Sequence, residues 1–313
     1  MVEGNHSAVS GFILFGLTDD PGLQVILFGV FLVVYLVSVL GNLGLIVLIQ
    51  ASPQLHTPMY FFLSHLAFTD FCFTSSVTPN MLIQFWQEVK SMTFLACAVQ
   101  LCCFVTFVVS ELYLLSVMAY DRYVAICTPL LYVILMPRKL CIQMVAGTYI
   151  YGVSVGLVQA VSTFQLSFCG SNVVNHFYCD DVPLMALACS DTHVKELLLL
   201  IIAGFNTLCS LVIVLVSYAF ILFAILRIQS AEGRQKAFST CASHLTSISI
   251  FYATVIFMYL QPKSSHSLHT DKFASVFYVV VIPMLNPLIY SLRNQEVKNS
   301  VKKIIEKLRL AIK

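Results

Sequence analysis

The chain has 313 residues, of which 59% are hydrophobic and 10% are charged, and its mean hydropathy is +0.88. Soluble domains have about 25% charged residues, so this composition excludes a water-soluble globular protein. The formal net charge of +2 says little as a total. The positions of the charges along the chain are informative.

Seven apolar segments are long enough to cross a bilayer, since about 20 residues at 1.5 Å rise span its hydrocarbon core. They lie at residues 24–50, 58–84, 94–121, 141–165, 196–226, 237–261 and 272–291. The sequence therefore predicts an all-α membrane protein, a seven-transmembrane helix bundle over residues 24–291.

The two ends of the chain lie outside the predicted bundle. Residues 1–23 contain no Lys or Arg and no separate apolar core, so we expect no cleavable signal peptide and a short extracellular N-terminus. In residues 292–313, apolar side chains recur at helical spacing opposite lysines, which predicts an amphipathic helix on the membrane surface. These side chains are Val297, Val301, Ile304, Ile305 and Leu308.

The Lys and Arg residues orient the predicted bundle. Of 17 in the chain, 13 follow the last span or flank the loops on the same side of the membrane. Cytosolic loops carry an excess of Lys and Arg, so the C-terminus is predicted to be cytosolic and the N-terminus outside. That topology places the sequon Asn5-His6-Ser7 outside, where Asn5 is expected to be glycosylated.

Two acids, Asp70 and Glu111, lie deep within the second and third spans. An isolated carboxylate in a low dielectric would protonate, and ionisable residues inside a membrane are functional candidates. Near Asn42 and Asn286, the two acids could share a proton or hold a monovalent cation. The residues alone do not decide between a shared proton and a bound cation.

The third span ends in Asp121-Arg122-Tyr123, where the helix should meet the cytosol. One interpretation is a helix end anchored by a snorkelling Arg. The other is a two-position switch, in which Arg122 folds back on Asp121 at rest. On opening it would reach the partner protein or the hydroxyls of Tyr218 and Tyr290, and the surrounding motifs favour this second interpretation.

Two prolines, Pro283 and Pro287, interrupt the seventh span. Each lacks a backbone N–H and bends the helix, and we expect Asn286 to bond the freed carbonyl groups. Proline in a membrane helix can also serve packing alone.

Four of the 11 cysteines, Cys97, Cys169, Cys179 and Cys189, lie at or beyond the outer membrane face. Four oxidisable cysteines allow three pairings, and their spacing does not choose among them. The other seven lie in spans or at the cytosolic face, where we expect buried thiols.

Several motifs follow one another along the chain. They are Gly41-Asn42, Leu55–Leu63 (LHTPMYFFL), Met118–Cys127 (MAYDRYVAIC), Ser217-Tyr218, Lys236–Leu245 (KAFSTCASHL) and Pro283–Tyr290 (PMLNPLIY). From about Phe12 to Lys298 the chain resembles the olfactory receptors, within the rhodopsin-like (class A) G-protein-coupled receptors. The outer loop containing Cys179–Leu184 (CDDVPL) resembles the class II branch of that family.

The resemblance implies disulfides Cys97–Cys179 and Cys169–Cys189, and a sodium site at Asp70, Glu111 and Asn286. It also implies coupling to a stimulatory-type heterotrimeric G protein, at the plasma membrane of olfactory cilia. No other cofactor is expected. The activation residues carried over from the family are Asp121, Arg122, Tyr123, Tyr218, His244, Asn286, Pro287 and Tyr290.

The ligand site is expected in the outer half of the bundle, because no extracellular domain exists to form one. Counting upward from Arg122, the inner face of the third span presents Phe104, Val105 and Val108. The residues that the resemblance adds are Ile202, Ala203, Asn206, Tyr252, Val255, Ile256, Tyr259, Ser275 and Val279. This mostly apolar set is typical of a small-molecule pocket and favours small, uncharged, hydrophobic odorants.

A small-molecule transporter or channel is the main alternative function. It would predict internal repeats or a polar path across the membrane, and the sequence shows neither. A membrane enzyme would need a nucleophile with its base or a metal cluster. His65 and His244 are too isolated to supply one, so no enzymatic activity is expected.

Overall fold

The computed structural model describes residues 11–18, 20–87, 90–169, 171–259, 272 and 274–312. The glycosylation candidate Asn5 and the side chain of Tyr259 lie outside this description. The described chain is a bundle of membrane-spanning helices, as the sequence predicts. The main helices are α1 Pro21–Ala51, α2 Pro58–Gln84, α3 Phe94–Cys127, α4 Arg138–Phe164, α5 His193–Leu226, α6 Ala231–Tyr259, α7 Ile282–Arg293 and α8 Gln295–Ile312.

Local chemistry explains where several spans begin. The Asp20 side chain accepts a hydrogen bond from the backbone N–H of Leu23 at 3.0 Å, and Pro21 occupies the first turn of α1. Thr93 caps α3 in the same way, accepting from the N–H of Ala96 at 3.2 Å. These side chains satisfy backbone donors that the first helical turn leaves without partners.

Helix α3 is the central helix of the bundle. In the most apolar stretch of α3, 67% of the residues are buried, against 11% in α1. Helix α3 also continues past its predicted end at residue 121 to Cys127. Asp121 and Arg122 therefore lie inside the last turns of a helix and are buried, rather than standing at its end.

Helix α4 approaches α3 closely through two glycines one turn apart. A Cβ atom at Gly152 would lie 2.8 Å from the carbonyl oxygen of Thr106, and one at Gly156 would lie 2.6 Å from that of Cys102. Small residues at this spacing let membrane helices pack backbone against backbone. This contact brings side chains of α4 to the interior of the bundle.

A proline rearranges the hydrogen bonds of the seventh span. A π-helical turn, Phe277–Val281, precedes α7. Because Pro287 has no N–H, the carbonyl of Pro283 loses its partner within the helix. Asn42 of α1 donates to that carbonyl at 2.9 Å. The expectation that Asn286 would do so is wrong, because its amide points to the acids of α2 and α3.

A small sheet at the end of the bundle opposite Arg122 was not predicted from the sequence. Its strands are β1 Gly11–Leu14, β2 Ser91–Thr93 and β3 Val173–Val174, and β1 pairs antiparallel with β2 and parallel with β3. Phe12 of β1 is buried against aromatic rings, its centroid 5.3 Å from that of Phe168. A four-residue strand is too short for its alternating pattern to stand out in the sequence.

Two disulfides tie the long outer loop down. Cys97 at the start of α3 is bonded to Cys179, with Cα atoms 5.5 Å apart, and Cys169 is bonded to Cys189. These are the two pairs that the resemblance implied. The remaining seven cysteines are free thiols; two are buried and five are partly buried.

Candidate functional site

A cavity of about 60 Å³ lies among α3, α4, α5, α6 and the outer loop. Pockets for drug-sized ligands measure about 300–1,000 Å³, so this cavity is several times smaller than such a pocket. Its apolar lining consists of Phe104, Val105, Val108, Val109, Leu112, Val155, Leu199, Ile202, Ala203 and Val255. Its polar lining consists of Gln159, Asp180, Asp181, Asn206 and Thr207.

The structure brings together seven of the residues predicted for the ligand site. These are Phe104, Val105, Val108, Ile202, Ala203, Asn206 and Val255. Four others do not line the cavity in the described part of the chain. Ile256 is 42% exposed on the outside of α6, whereas Tyr252 and Val279 are buried in the hydrophobic core. Ser275 is turned toward the outer loop.

Ser275 contacts His176 of the outer loop, at 3.2 Å between its hydroxyl oxygen and the ring Nε2. His176 is buried beside Phe177 and Tyr178. Burial and, to a smaller extent, the charge of Lys272 lower the pKa of His176 to about 3, so the ring is neutral at physiological pH. This contact holds the loop against the start of the seventh span.

The sequence analysis missed every lining residue from α4 and from the outer loop. Helix α4 reaches the cavity because of its contact with α3 through Gly152 and Gly156. The one available signal was Gln159, a lone amide in an otherwise apolar segment near the outer end of α4.

The polar end of the cavity is built around a buried ion pair. The Lys195 ammonium lies 3.2 Å from the Asp181 carboxylate, and these residues are 4% and 2% exposed. Lys195 also donates to the side-chain oxygen of Gln159 at 2.5 Å and to the hydroxyl of Ser162 at 3.0 Å. Thr163 donates to Asp181. Burial raises the pKa of Asp181, and Lys195 opposes that shift.

A second amide, Asn206, stands on the α5 wall of the cavity. Its side-chain oxygen accepts from the Tyr113 hydroxyl at 3.0 Å, and its nitrogen donates to the carbonyl of Ile202 at 2.7 Å. Both contacts fix the orientation of the amide group.

The two acids in the middle of the bundle meet at Asn286. Its amide nitrogen donates to Asp70 at 2.9 Å and to Glu111 at 3.4 Å. One oxygen of each carboxylate, Asp70 Oδ1 and Glu111 Oε2, is buried without a hydrogen-bond partner among the described residues. These two oxygens fit a hard cation or a shared proton. In this conformation Asn286 faces the acids through its nitrogen and links the two carboxylates.

At the end of the bundle opposite the cavity, the Asp121 side chain is hydrogen-bonded to a tyrosine. Its carboxylate accepts from the Tyr132 hydroxyl at 2.8 Å, and the described side chains form no Asp121–Arg122 ion pair. The expectation that Arg122 folds back on Asp121 is therefore wrong for this conformation. Adjacent side chains on a helix diverge, and the Tyr132 hydroxyl is bonded to one of the two oxygens of the carboxylate.

Helices α5 and α6 are joined near Arg122 by one hydrogen bond. The Tyr218 hydroxyl lies 2.7 Å from Nδ1 of His244, which is 3% exposed. Tyr290 of α7 and Arg122 are also buried in this region of the bundle. Tyr123 and Tyr218 are partly buried, and the other predicted activation residues are buried.

Residues 31–307 match the family model described as olfactory receptor. Olfactory receptor 5AL1 of Homo sapiens is 78% identical over 313 residues, which is 100% of this chain and 95% of that protein. Olfactory receptor 8U3 of Mus musculus is 61% identical over 307 residues, 98% of this chain and 96% of that protein.

The chain belongs to the olfactory receptor family. The receptor is a multi-pass membrane protein of the G-protein-coupled receptor class, which is not an enzyme family. Family membership also decides between the two functions that the sequence left open, in favour of an odorant receptor over a transporter or channel.

Proposed function

We propose that the receptor binds small, mostly uncharged, hydrophobic odorants in the cavity among α3, α4, α5 and α6. The observation that carries this proposal is the cavity itself, which is small, mostly apolar and furnished with a few fixed polar groups. Burying about 200 Å² at about 25 cal/mol per Å² yields about 5 kcal/mol before association costs. Affinities are therefore expected to be micromolar or weaker.

The second part of the proposal is that ligand binding activates a stimulatory-type heterotrimeric G protein and raises cyclic AMP. The cavity touches α3, α5 and α6, and the same three helices carry Arg122, Tyr218 and His244. A ligand that changes their packing would strain the Tyr218–His244 hydrogen bond. Breaking this hydrogen bond would allow α6 to move outward and would expose Arg122 to the G protein.

The proposed membrane orientation puts the Arg122 end in the cytosol. The excess of Lys and Arg at that end supports it, with 13 of 17 such residues there. The N-terminus is then extracellular, and Asn5 is available for glycosylation. We place the receptor in the plasma membrane of olfactory sensory cilia.

The acids Asp70 and Glu111 are proposed to hold a sodium ion or to share a proton between them. Their buried, unpartnered oxygens support both alternatives. In either case, charge at this point couples α2 and α3 to the seventh span through Asn286. No other cofactor is proposed.

Replacing Arg122 with Ala tests the signalling proposal. In cells that express the receptor, the variant is expected to lose odorant-driven cyclic AMP, because the cytosolic partner loses its contact. Arg138→Ala is the matched control, since Arg138 is exposed at the same end of the bundle. Surface labelling is measured for both variants. An Arg122→Ala receptor that reaches the surface and signals like the wild type would refute the proposal.

A further inference from the structure

The two amides on the cavity wall, Gln159 and Asn206, have the same feature. The side-chain oxygen of each is already taken by a protein donor, Lys195 for Gln159 and Tyr113 for Asn206. The ammonium of Lys195 can only donate, so the Gln159 atom facing it must be oxygen. The carbonyl of Ile202 can only accept, so the Asn206 atom facing it must be nitrogen.

Each amide oxygen already accepts from the protein, so the N–H groups are the part of these amides most available to a ligand. Gln159 is 2% exposed and lines the cavity, and Lys195 is bonded to the oxygen of its side chain rather than to the nitrogen. The nitrogen of Asn206 uses one hydrogen on Ile202 and keeps the other. An occupant that supplies an acceptor oxygen can bond these N–H groups and is therefore favoured.

The charges beside Gln159 restrict what kind of oxygen this is. Lys195 is neutralised by Asp181, and Asp180 also lines the cavity. Because the ammonium is already paired with Asp181, a carboxylate ligand would gain little from it. The ammonium on the amide oxygen polarises Gln159 and strengthens its N–H groups as donors.

We propose that Gln159 is a specificity-determining residue of this receptor, and that its preferred agonists are neutral carbonyl compounds whose oxygen accepts from the Gln159 NH₂ group. This rests on the proposed function of the cavity as the odorant site. Lys195 and Asp181 act as positioning residues, which fix the orientation of the Gln159 amide.

The test is a cyclic AMP dose–response series with a straight-chain ketone and the alcohol, primary amine and alkane of the same length. The wild-type receptor is expected to respond to the ketone at the lowest concentration. Gln159→Glu keeps an acceptor for Lys195 and the side-chain volume, but it turns an oxygen toward the ketone. A neutral hydrogen bond corresponds to about a threefold to tenfold change in potency, so with repulsion added the ketone should lose at least about tenfold.

Two further variants separate recognition from folding. Gln159→Met removes the donor without adding charge and should also lower ketone potency, while the response to the alkane changes little. Ser154→Ala changes an exposed side chain of the same helix that bonds the carbonyl of Ile150 and lies outside the cavity lining, so it should match the wild type. Surface labelling is measured for every variant.

The outcomes distinguish this inference from the function on which it rests. A wild-type receptor that reaches the surface and responds to none of the four probes contradicts the proposed function and the inference with it. A wild type that prefers the amine or the alcohol assigns recognition to Asp180 and Asp181, and overturns the role of Gln159. Gln159 variants that keep wild-type ketone potency at the surface overturn the inference alone.

Discussion

At the scale of single residues, the bundle contains a buried ion pair, Lys195–Asp181, in which each charged group also forms hydrogen bonds with neighbouring side chains. Desolvating an ammonium and a carboxylate is costly, and only good geometry with further hydrogen bonds offsets that cost. Lys195 and Asp181 meet this condition through Gln159, Ser162 and Thr163. Removing the charge of one member of the ion pair should therefore destabilise the protein much more than removing both charges.

Lys195→Met is expected to destabilise the receptor by about 3–5 kcal/mol, because it leaves Asp181 as an unpaired buried carboxylate. Adding Asp181→Asn should restore most of that loss, since the neutral amide still accepts from Thr163. Thermal unfolding of purified receptor measures both effects, with the exposed Lys139→Met as control. A double variant no more stable than Lys195→Met would contradict the pairing.

At the scale of secondary-structure elements, the contact between α3 and α4 shapes the cavity. Gly152 and Gly156 bring the α4 backbone against that of α3, which is how Val155 and Gln159 reach the interior. The atoms nearest these glycines include backbone carbonyls of α3, which cannot move without displacing the helix. Glycine is therefore required here for close packing and not for an unusual backbone conformation.

Gly156→Ala is expected to separate α3 from α4 and cost about 1–3 kcal/mol, because overpacking a tight contact strains both helices. Gly147→Ala on the same helix is the matched control, since nothing lies within 4 Å of a Cβ atom there. Alanine is the better helix former by about 1 kcal/mol, so the control should be neutral or stabilising. Equal unfolding temperatures for the two variants would show that the close approach is unimportant.

At the scale of the whole molecule, the outer loop forms part of the cavity wall. Cys97–Cys179 ties it to α3, and Gln100 of α3 accepts from the backbone N–H of Cys179 at 3.0 Å. The sheet of β1, β2 and β3 then joins the N-terminal segment to the loop. Together these contacts hold Asp180 and Asp181 at the cavity.

Replacing both Cys97 and Cys179 with Ser should cost about 2–5 kcal/mol and retain much of the protein inside the cell, since native disulfides in extracellular regions stabilise by about this amount. The bond closes a sequence separation of 82 residues. Surface labelling and thermal unfolding are the measurements, and Cys209→Ser, a free thiol in α5, is the control. An unchanged double variant would show that the loop needs no covalent tether.

The sequence by itself determined the features that depend on local composition. Hydropathy gave the spans because the bilayer sets their length, and α2 and α4 end within one residue of the predicted positions at 84 and 165. Helical periodicity placed Phe104, Val105 and Val108 on the cavity side of α3, as the structure has them. Motifs that resemble the olfactory receptors supplied the family.

Only the tertiary structure decided which distant polar groups meet. Asn42 donates a hydrogen bond to a carbonyl 241 positions away, and the side-chain oxygen of Gln159 accepts one from a lysine 36 positions away. Asp121 is bonded to Tyr132 and not to its neighbour Arg122. Hydropathy and periodicity describe one helix at a time, whereas these contacts depend on how close two helices approach. In this receptor, Gly152 and Gly156 allow the approach that brings Gln159 to the cavity, and Pro287 leaves free the carbonyl that Asn42 bonds.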